Sequence, residues 1–311
     1  MMATGADVAV IGEVLIELSA SGPFHLGQLV RFGVSGDALN AAAAAAASGA
    51  HTVLITRVGD DELGEVIVGR AAELGIDTSG IRRVPGQQGV YFAVADPSGS
   101  GQFAYARRGS AASTMVPADL DGLPAPRVAL ASGITCAISA TAAEVVRTAA
   151  RRASQFVYDP NFRPRLTSAE AAARMLAELA PSAAVVTPSA PGECRELLGE
   201  PDPAVAARAL RRLGARAVAV TSGPAGILLD HEDRQEFVRA VPAPTVTDQT
   251  GAGDVFAGTL AGRLALGDDL REAAGLAAAA ASLSLAGQGG TGCIPKFAQT
   301  MALLNEQAVG M

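Results

Sequence analysis

The sequence predicts an α/β protein: a mostly parallel, doubly wound sheet flanked by helices, with a small β-sheet lid. Three observations lead there. Short apolar runs ending in glycine, such as DVAVIG and RAVAVTSG, recur along the chain and read as buried parallel strands. Ala-rich stretches of helical length alternate with them, which is a βαβ rhythm. One interval, from Ile81 to Arg107, breaks the rhythm with two strand-like segments. The 311 residues then form one domain, with the lid made by about residues 13–35 and 81–110.

The first strand is DVAVIG, Asp7 to Gly12, apolar throughout and closed by glycine. VLIELSA follows and alternates apolar with polar residues, the pattern of a strand with one wet face. Gly22, Pro23, Gly27 and Gly33 then interrupt regular structure. GDALNAAAAAAASG is a helix stopped at Gly49, HTVLITRVG the next buried strand, and DELGEVIVGRAAELG the next helix. GVYFAVAD and GQFAYARRG form a hairpin turned at Pro97, Ser98 and Gly99. Together with VLIELSA they make the small sheet, and an excursion of this kind beside an active site acts as a cover.

The βα rhythm then resumes. RVALASG is a strand, TAAEVVRTAARRA a helix, and QFVYDPN a strand running into the loop NFRPRL. Glu170 to Ala180 is a helix, AAVVTPS a strand, PAVAARALRRLG a helix and RAVAVTSG a strand. ILLDHEDRQEFVRA reads as a polar-tipped hairpin, and two Ala-rich helices ending near Gly287 follow the turn DQTGAGD. Ligands of such sheets bind outside the carboxyl ends of the strands. The loops after TRVG, ASG, YDPN, VTPS and VTSG are therefore expected on one rim.

Composition narrows the function. Hydrophobic residues make up 49% and aromatics only 4%, with no Trp, so the core is built from Ala, Val and Leu. A net charge of −7 argues against nucleic acid and anionic membranes as partners, and makes any anionic ligand depend on a local positive site. Three scattered cysteines give neither a disulfide framework nor a metal spacing, which suits a reducing cytoplasm. The start MMATGADVAVIGE lacks the pattern of a signal peptide, and the Ala runs are too interrupted to span a bilayer. The expected localisation is cytoplasmic. No GxGxxG follows the first strand, which argues against a dinucleotide-binding dehydrogenase.

The chemistry concentrates in DQTGAGDVF, Asp248 to Phe256. A Gly-rich turn feeding a helix N-terminus presents free N–H groups and the positive end of the helix dipole, an anion site. Asp254 stands at that anion site. It either caps the helix or has a task there, such as accepting a proton from an attacking hydroxyl.

With SGDALNAA and DQTGAGD both in view, the chain resembles the ribokinase-like (PfkB) family of carbohydrate kinases over nearly its whole length. Ser35 stands where the family prefers Gly or Ala, and Gln249 where it prefers a small hydroxyl residue or Pro. The resemblance implies transfer of the γ-phosphoryl group of ATP to a sugar hydroxyl. It gives Asp254 the role of catalytic base, and Gly251, Ala252 and Gly253 that of an anion hole for the transferred phosphate. Thr221, Gly223 and Gly226 match the family's ATP loop. Glu193 matches the acidic residue of an Asn-x-x-Glu motif tied to the magnesium and phosphate region, with Ala190 at the Asn position. The implied cofactors are ATP and Mg2+, and the family often binds a monovalent cation such as K+ near the anion hole.

Within the family, GEVLIEL, GDALNAA, GVYF, YARRGSAAS, SGITCAIS and DPNFRPRL look most like the 2-keto-3-deoxygluconate kinases. Relatives often carry Trp after DPNxRP, where this chain has Thr167. By position the resemblance assigns Gly36, Asp37, Asn40, Tyr91, Tyr105, Arg107 and Arg163 to the sugar, with arginine suited to a carboxylate. An Arg163–Asp159 pair and a lid-core role for the tyrosines are the structural alternatives. A fructokinase-like or nucleoside-directed kinase is the alternative function, and a sugar-binding regulator without turnover a more distant one. Exposed edges of the lid sheet point to a homodimer through the lids.

Overall fold

The computed structural model of the chain describes residues 5–20, 22–94, 103–123 and 125–309. The first part contains β1 (Val8–Ile11), β2 (Leu15–Ala20), β3 (Arg31–Ser35), α1 (Asp37–Ala47), β4 (Thr52–Gly59), α2 (Glu62–Glu73), β5 (Ile81–Val84), β6 (Val90–Val94) and β7 (Phe103–Ala106). Then come β8 (Val128–Ser132), α3 (Gly133–Ile138), α4 (Ala140–Arg152), β9 (Gln155–Asp159), α5 (Ala169–Leu179), β10 (Val185–Val186), α6 (Gly192–Leu198) and α7 (Pro203–Arg212). The chain closes with β11 (Ala217–Thr221), β12 (Ile227–His231), β13 (Arg234–Val238), α8 (Ala252–Leu266), α9 (Leu270–Ser284) and α10 (Phe297–Val309). The helices α3, α6 and α10 have no counterpart among the elements expected from the sequence.

Nine strands form one sheet in the order β13-β12-β11-β10-β9-β8-β1-β4-β5. All neighbours from β11 to β5 pair in parallel, and β12 and β13 add an antiparallel hairpin at one edge. The chain runs outward from β1 to β4 and β5, then returns to β8 on the other side of β1. The order reverses at β1, so a crevice opens outside its carboxyl end. Successive β1 residues face opposite layers. Val8 and Val10 pack with Leu39 of α1 and Phe256 and Leu260 of α8, while Ala9 and Ile11 pack with Val145 of α4, Leu176 of α5 and Leu210 of α7. Both faces are thus covered, as the continuous apolar runs require.

A separate sheet of order β3-β2-β6-β7 carries the excursion. Three expectations change here. Ile81–Val84, grouped with the small sheet by the sequence reading, pairs with β4 and ends the main sheet. The interrupted Gly22–Gly33 stretch contains part of β3, which pairs antiparallel with β2 across Gly33. The polar positions of β2 are not wet: Glu17 and Ser19 are buried. Glu17 accepts from the Tyr91 hydroxyl and the Gly290 N–H, and Ser19 accepts from the Gln288 side chain. A distant loop covers that face, which strand periodicity cannot show. The predicted turn at Pro97–Gly99 lies outside the described residues.

Cys136 and Cys194 are thiols that burial pushes up to about 12, so both stay protonated. Among the described residues no helix is long and apolar enough to cross a membrane.

Candidate active site

The DQTGAGD turn is braced from within. Asp248 is buried, and its carboxylate accepts from Thr250 N at 3.0 Å, Thr250 Oγ1 at 2.8 Å and Gly289 N at 2.9 Å. Gln249 lends its carbonyl to Ala252 N at 3.3 Å, closing the turn. Gly251, at φ 83°, caps α8 in the left-handed region, where glycine carries no Cβ penalty. A Cβ there would also come within 3.0 Å of Gly290 Cα and 3.1 Å of Asn40 Nδ2. Gly253 is exposed and has nothing within 4 Å of its Cβ position. Open space therefore lies over the start of a 15-residue helix, whose first N–H groups favour an anion.

Asp254 does not cap the helix; α8 has no side-chain cap. Its carboxylate is held between two amides. Asn40 Nδ2 of α1 donates to Oδ2 at 2.8 Å, and Asn161 Nδ2, from the loop after β9, donates to Oδ1 at 2.9 Å. Burial and then the Asp37 carboxylate push Asp254 up to about 7, against the two amides and Arg163. Asp37, at the start of α1, accepts from Ser132 Oγ at the end of β8 at 2.5 Å, and burial raises it too. Asp37, Ser132, Asp159, Asn161 and Asp254 all line one crevice at the carboxyl ends of β1, β8 and β9. Gly36 caps α1 just before them.

A second acidic pair lies behind this crevice. Glu193, in the first turn of α6, accepts from Phe162 N at 2.6 Å and Ser189 N at 2.8 Å, stitching the loop after β9 to the loop after β10. Burial raises Asp159, and the charges of Glu193 and Asp254 raise it further. The loop after β11 joins the same network. Thr221 N donates to Pro188 O at 2.9 Å, and Gly223 is exposed on the rim. Gly226 is buried within the edge hairpin, under Phe237 and Val238. The loops after β9, β10 and β11 are thus joined along one rim.

The small sheet brings its residues by a different route. Arg107, just past β7, makes an ion pair with Glu13, which is wholly buried just past β1. Ser110 Oγ donates to the other Glu13 oxygen at 2.5 Å. The Arg107 guanidinium also lies 5.3 Å over the Tyr105 ring. Tyr91 is buried within the small sheet and its hydroxyl donates to Glu17. Tyr105 is 36% exposed beside it, with ring centroids 6.1 Å apart. Arg163 is exposed and donates to its neighbour's carbonyl, Phe162 O, at 3.1 Å. No ion pair joins Arg163 to Asp159 among the described residues, but its charge favours the ionised forms of Asp159 and Asp254.

Several site residues escaped the sequence reading. Asn161 stands inside DPNFRP but has no sequence period to mark it. Its one signal is the residue type, since Asn tolerates the φ of 43° it adopts. Glu13, Ser132 and Asp159 are polar residues at strand ends, and only their burial singles them out.

Residues 6–296 match the pfkB family carbohydrate kinase pattern. The chain belongs to the PfkB family of carbohydrate kinases. It is accordingly an ATP-dependent carbohydrate kinase. A relative from Thermoproteus tenax, named 2-dehydro-3-deoxygluconokinase, is 33% identical over 306 residues, which cover 96% of this chain and 94% of the relative. The crystal structure of a PfkB protein from Polaromonas sp. JS666 is 29% identical, covers 96% of this chain and 100% of its own, and superposes with a TM-score of 0.83. A putative ribokinase II from E. coli, solved in complex with ATP and Mg2+, shares the fold at TM-score 0.85 and 22% identity over 97% of this chain and 99% of its own. The PfkB assignment agrees with the two signatures, one opening α1 and the other α8, that meet through Asn40 and Asp254.

Proposed function

We propose that this PfkB protein phosphorylates a hydroxyl of a sugar acid, 2-keto-3-deoxygluconate being the first candidate. The observation that carries the kinase chemistry is Asp254, a carboxylate held by two neutral amides at the open start of α8. Phosphoryl transfer needs positioning and charge stabilisation more than covalent help. Asp254 takes the hydroxyl proton, and the Gly251–Gly253 N–H groups face the transferred phosphate. The ATP polyphosphate lies along the start of α8 and the Thr221–Gly226 loop. Among the described residues no three His, Cys, Asp or Glu side chains converge to hold a metal. Mg2+ would arrive on the phosphates of ATP, with Asp159 and Glu193 as the acidic side chains that would face it. Bound there, Mg2+ would supply neutralisation of the charge on the transferred group.

The acid end of the substrate is supported by Arg163, by Arg107 and by the name of the Thermoproteus tenax relative. The Nε of Arg107 is buried and has no hydrogen-bond partner among the described residues, an unspent donor. One observation favours a neutral sugar instead: Glu13 already balances the charge of Arg107. ADP release with 2-keto-3-deoxygluconate, fructose, ribose and adenosine, in K+ and in choline buffer, separates the two readings. The keto acid is expected to have the highest kcat/KM, and Arg163→Ala to lower it about 10-fold or more, the worth of one charge-assisted contact. Fructose as the best substrate, indifferent to Arg163→Ala, rejects the sugar-acid reading.

We further propose a homodimer through the small sheet, which would serve as a lid. Leu26, Leu29, Phe32 and Phe24 form an apolar surface at the β2–β3 end of this sheet, with Leu26 and Leu29 almost fully exposed at 101% and 94%. Leu26→Glu with Leu29→Glu should convert the dimer to a monomer in light scattering at micromolar concentration. A wild type that is already monomeric there rejects this proposal.

A further inference from the structure

The two amides on Asp254 come from unrelated parts of the fold and agree in one task. Asn40 is 2% exposed, and its oxygen accepts from Ser35 Oγ at 3.2 Å. That contact fixes its amide orientation and turns Nδ2 toward Asp254. Asn161 is 8% exposed at φ 43°, and its backbone N–H donates to Asp159 Oδ1 at 3.2 Å. This short turn aims its side chain back across the crevice at the other Asp254 oxygen.

We propose that Asn161 is a positioning residue which, together with Asn40, keeps Asp254 ionised and leaves its remaining lone pairs for the substrate hydroxyl. The inference rests on Asp254 being the base. A carboxylate has about four lone-pair sites, so two amide bonds leave room for the incoming O–H. Neutral N–H donors favour the charged form, and a carboxyl that already holds a proton cannot take another.

The charges around Asp254 make this balance close. Asp37 of α1 and Asp159 of β9 oppose its ionisation, and Arg163 in the loop after β9 favours it. Glu193 of α6 faces Asp159 behind them. Burial opposes ionisation most, and the amides of Asn40 and Asn161 work against it. Without Asn161, the protonated form gains. Activity lost at neutral pH should then return as the pH rises. A residue that only contacts sugar, or only props a loop, would lower activity equally at every pH.

The test is the pH profile of kcat/KM from about pH 5.5 to 9.5 for wild type, Asn161→Gly and Asn161→Asp. Glycine removes the amide and keeps the left-handed backbone. Aspartate keeps the shape and replaces the donor with a second carboxylate. The acidic limb of Asn161→Gly should move up by about one pH unit, the worth of one hydrogen bond to a charged group. At pH 7 kcat/KM should fall about 5-fold, and it should approach wild type by about pH 9. Asn161→Asp should move the limb further the same way, and it serves as the readout if the glycine variant is unfolded by thermal melt. Wild-type turnover combined with a pH-independent loss in both variants overturns the proposal and leaves the kinase reading standing. Absence of substrate-dependent turnover in the wild type overturns both.

Discussion

Asp254→Asn is expected to lower kcat by about 10²–10⁴-fold while ATP still binds, the loss that follows removal of a general base. The substitution keeps the size of the side chain and removes its charge. The fold should tolerate it, because the site holds Asp254 by hydrogen bonds and not by an ion pair. One of the two amides now meets an NH2 group, and Asn40 cannot turn over without losing Ser35. A modest loss of local order is therefore expected, with little change in melting temperature. The wild-type profile should show the same group at work. With Asp254 pushed up to about 7, kcat/KM should fall tenfold per pH unit below that value, since the protonated carboxyl cannot accept a proton. Steady-state turnover and isothermal titration with ATP check both points. Near-wild-type turnover in Asp254→Asn removes the base from the mechanism.

The second large effect concerns the contact that brings the two signatures together. Helices α1 and α8 cross with Gly258 against the backbone of Ala41. A Cβ at Gly258 would lie 2.0 Å from Ala41 O and 2.7 Å from its Cα. Real side chains do not approach that closely, so the helices must separate. One turn on, Gly262 meets Ser48 and Ala45 in the same way. The Ala run of α1 is small for this reason: the helices approach almost backbone to backbone, with α1 buried from Ala38 to Ala45.

Gly258→Ala gains about 1 kcal/mol of helix propensity and loses about 3 kcal/mol to overpacking. A net loss of about 2 kcal/mol should lower Tm by roughly 3 °C in a chain of this size. Activity should fall as well, because Asn40 and Asp254 ride on the two separated helices and a displacement of about 1 Å can cost 10²-fold. Gly275→Ala in α9 is the control. Nothing lies within 4 Å of its Cβ position, so it should be neutral or stabilise by up to about 1 kcal/mol. Differential scanning calorimetry of both variants decides the matter, and a Gly258→Ala protein as stable as wild type would reject the close-contact account.

Local order alone made the main sheet legible. DVAVIG, HTVLITRVG and RVALASG are apolar on both faces because helices cover both faces, and no other environment suits such runs. The Gly251–Asp254 turn was legible for a related reason. Only glycine accepts the φ of Gly251 and the nearness of Gly290, so the conformation is written into the residue type. Family resemblance added the partnership of GDALN with GAGD, and the packing of α1 on α8 supplies its physical cause.

Tertiary structure alone decided the rest, because it concerns pairings between distant residues. Ile81–Val84 lies in a stretch whose pattern fits either sheet, and pairing with β4 settles it. Glu17 looks solvent-facing by alternation, yet the Gln288–Gly290 segment closes over it. Arg107 has the residue type of a free carboxylate receptor, but the structure pairs it with Glu13. Asn161 is one polar residue among several in a loop until its φ and the reach of its amide place it on Asp254. By itself the sequence determined the fold, the anion turn and the carboxylate beside it, because each follows from short-range periodicity or from a backbone conformation. The charge state and surroundings of that carboxylate were left to the tertiary structure, because burial and the fields of Asp37, Asp159 and Arg163 exist only once the chain has closed around it.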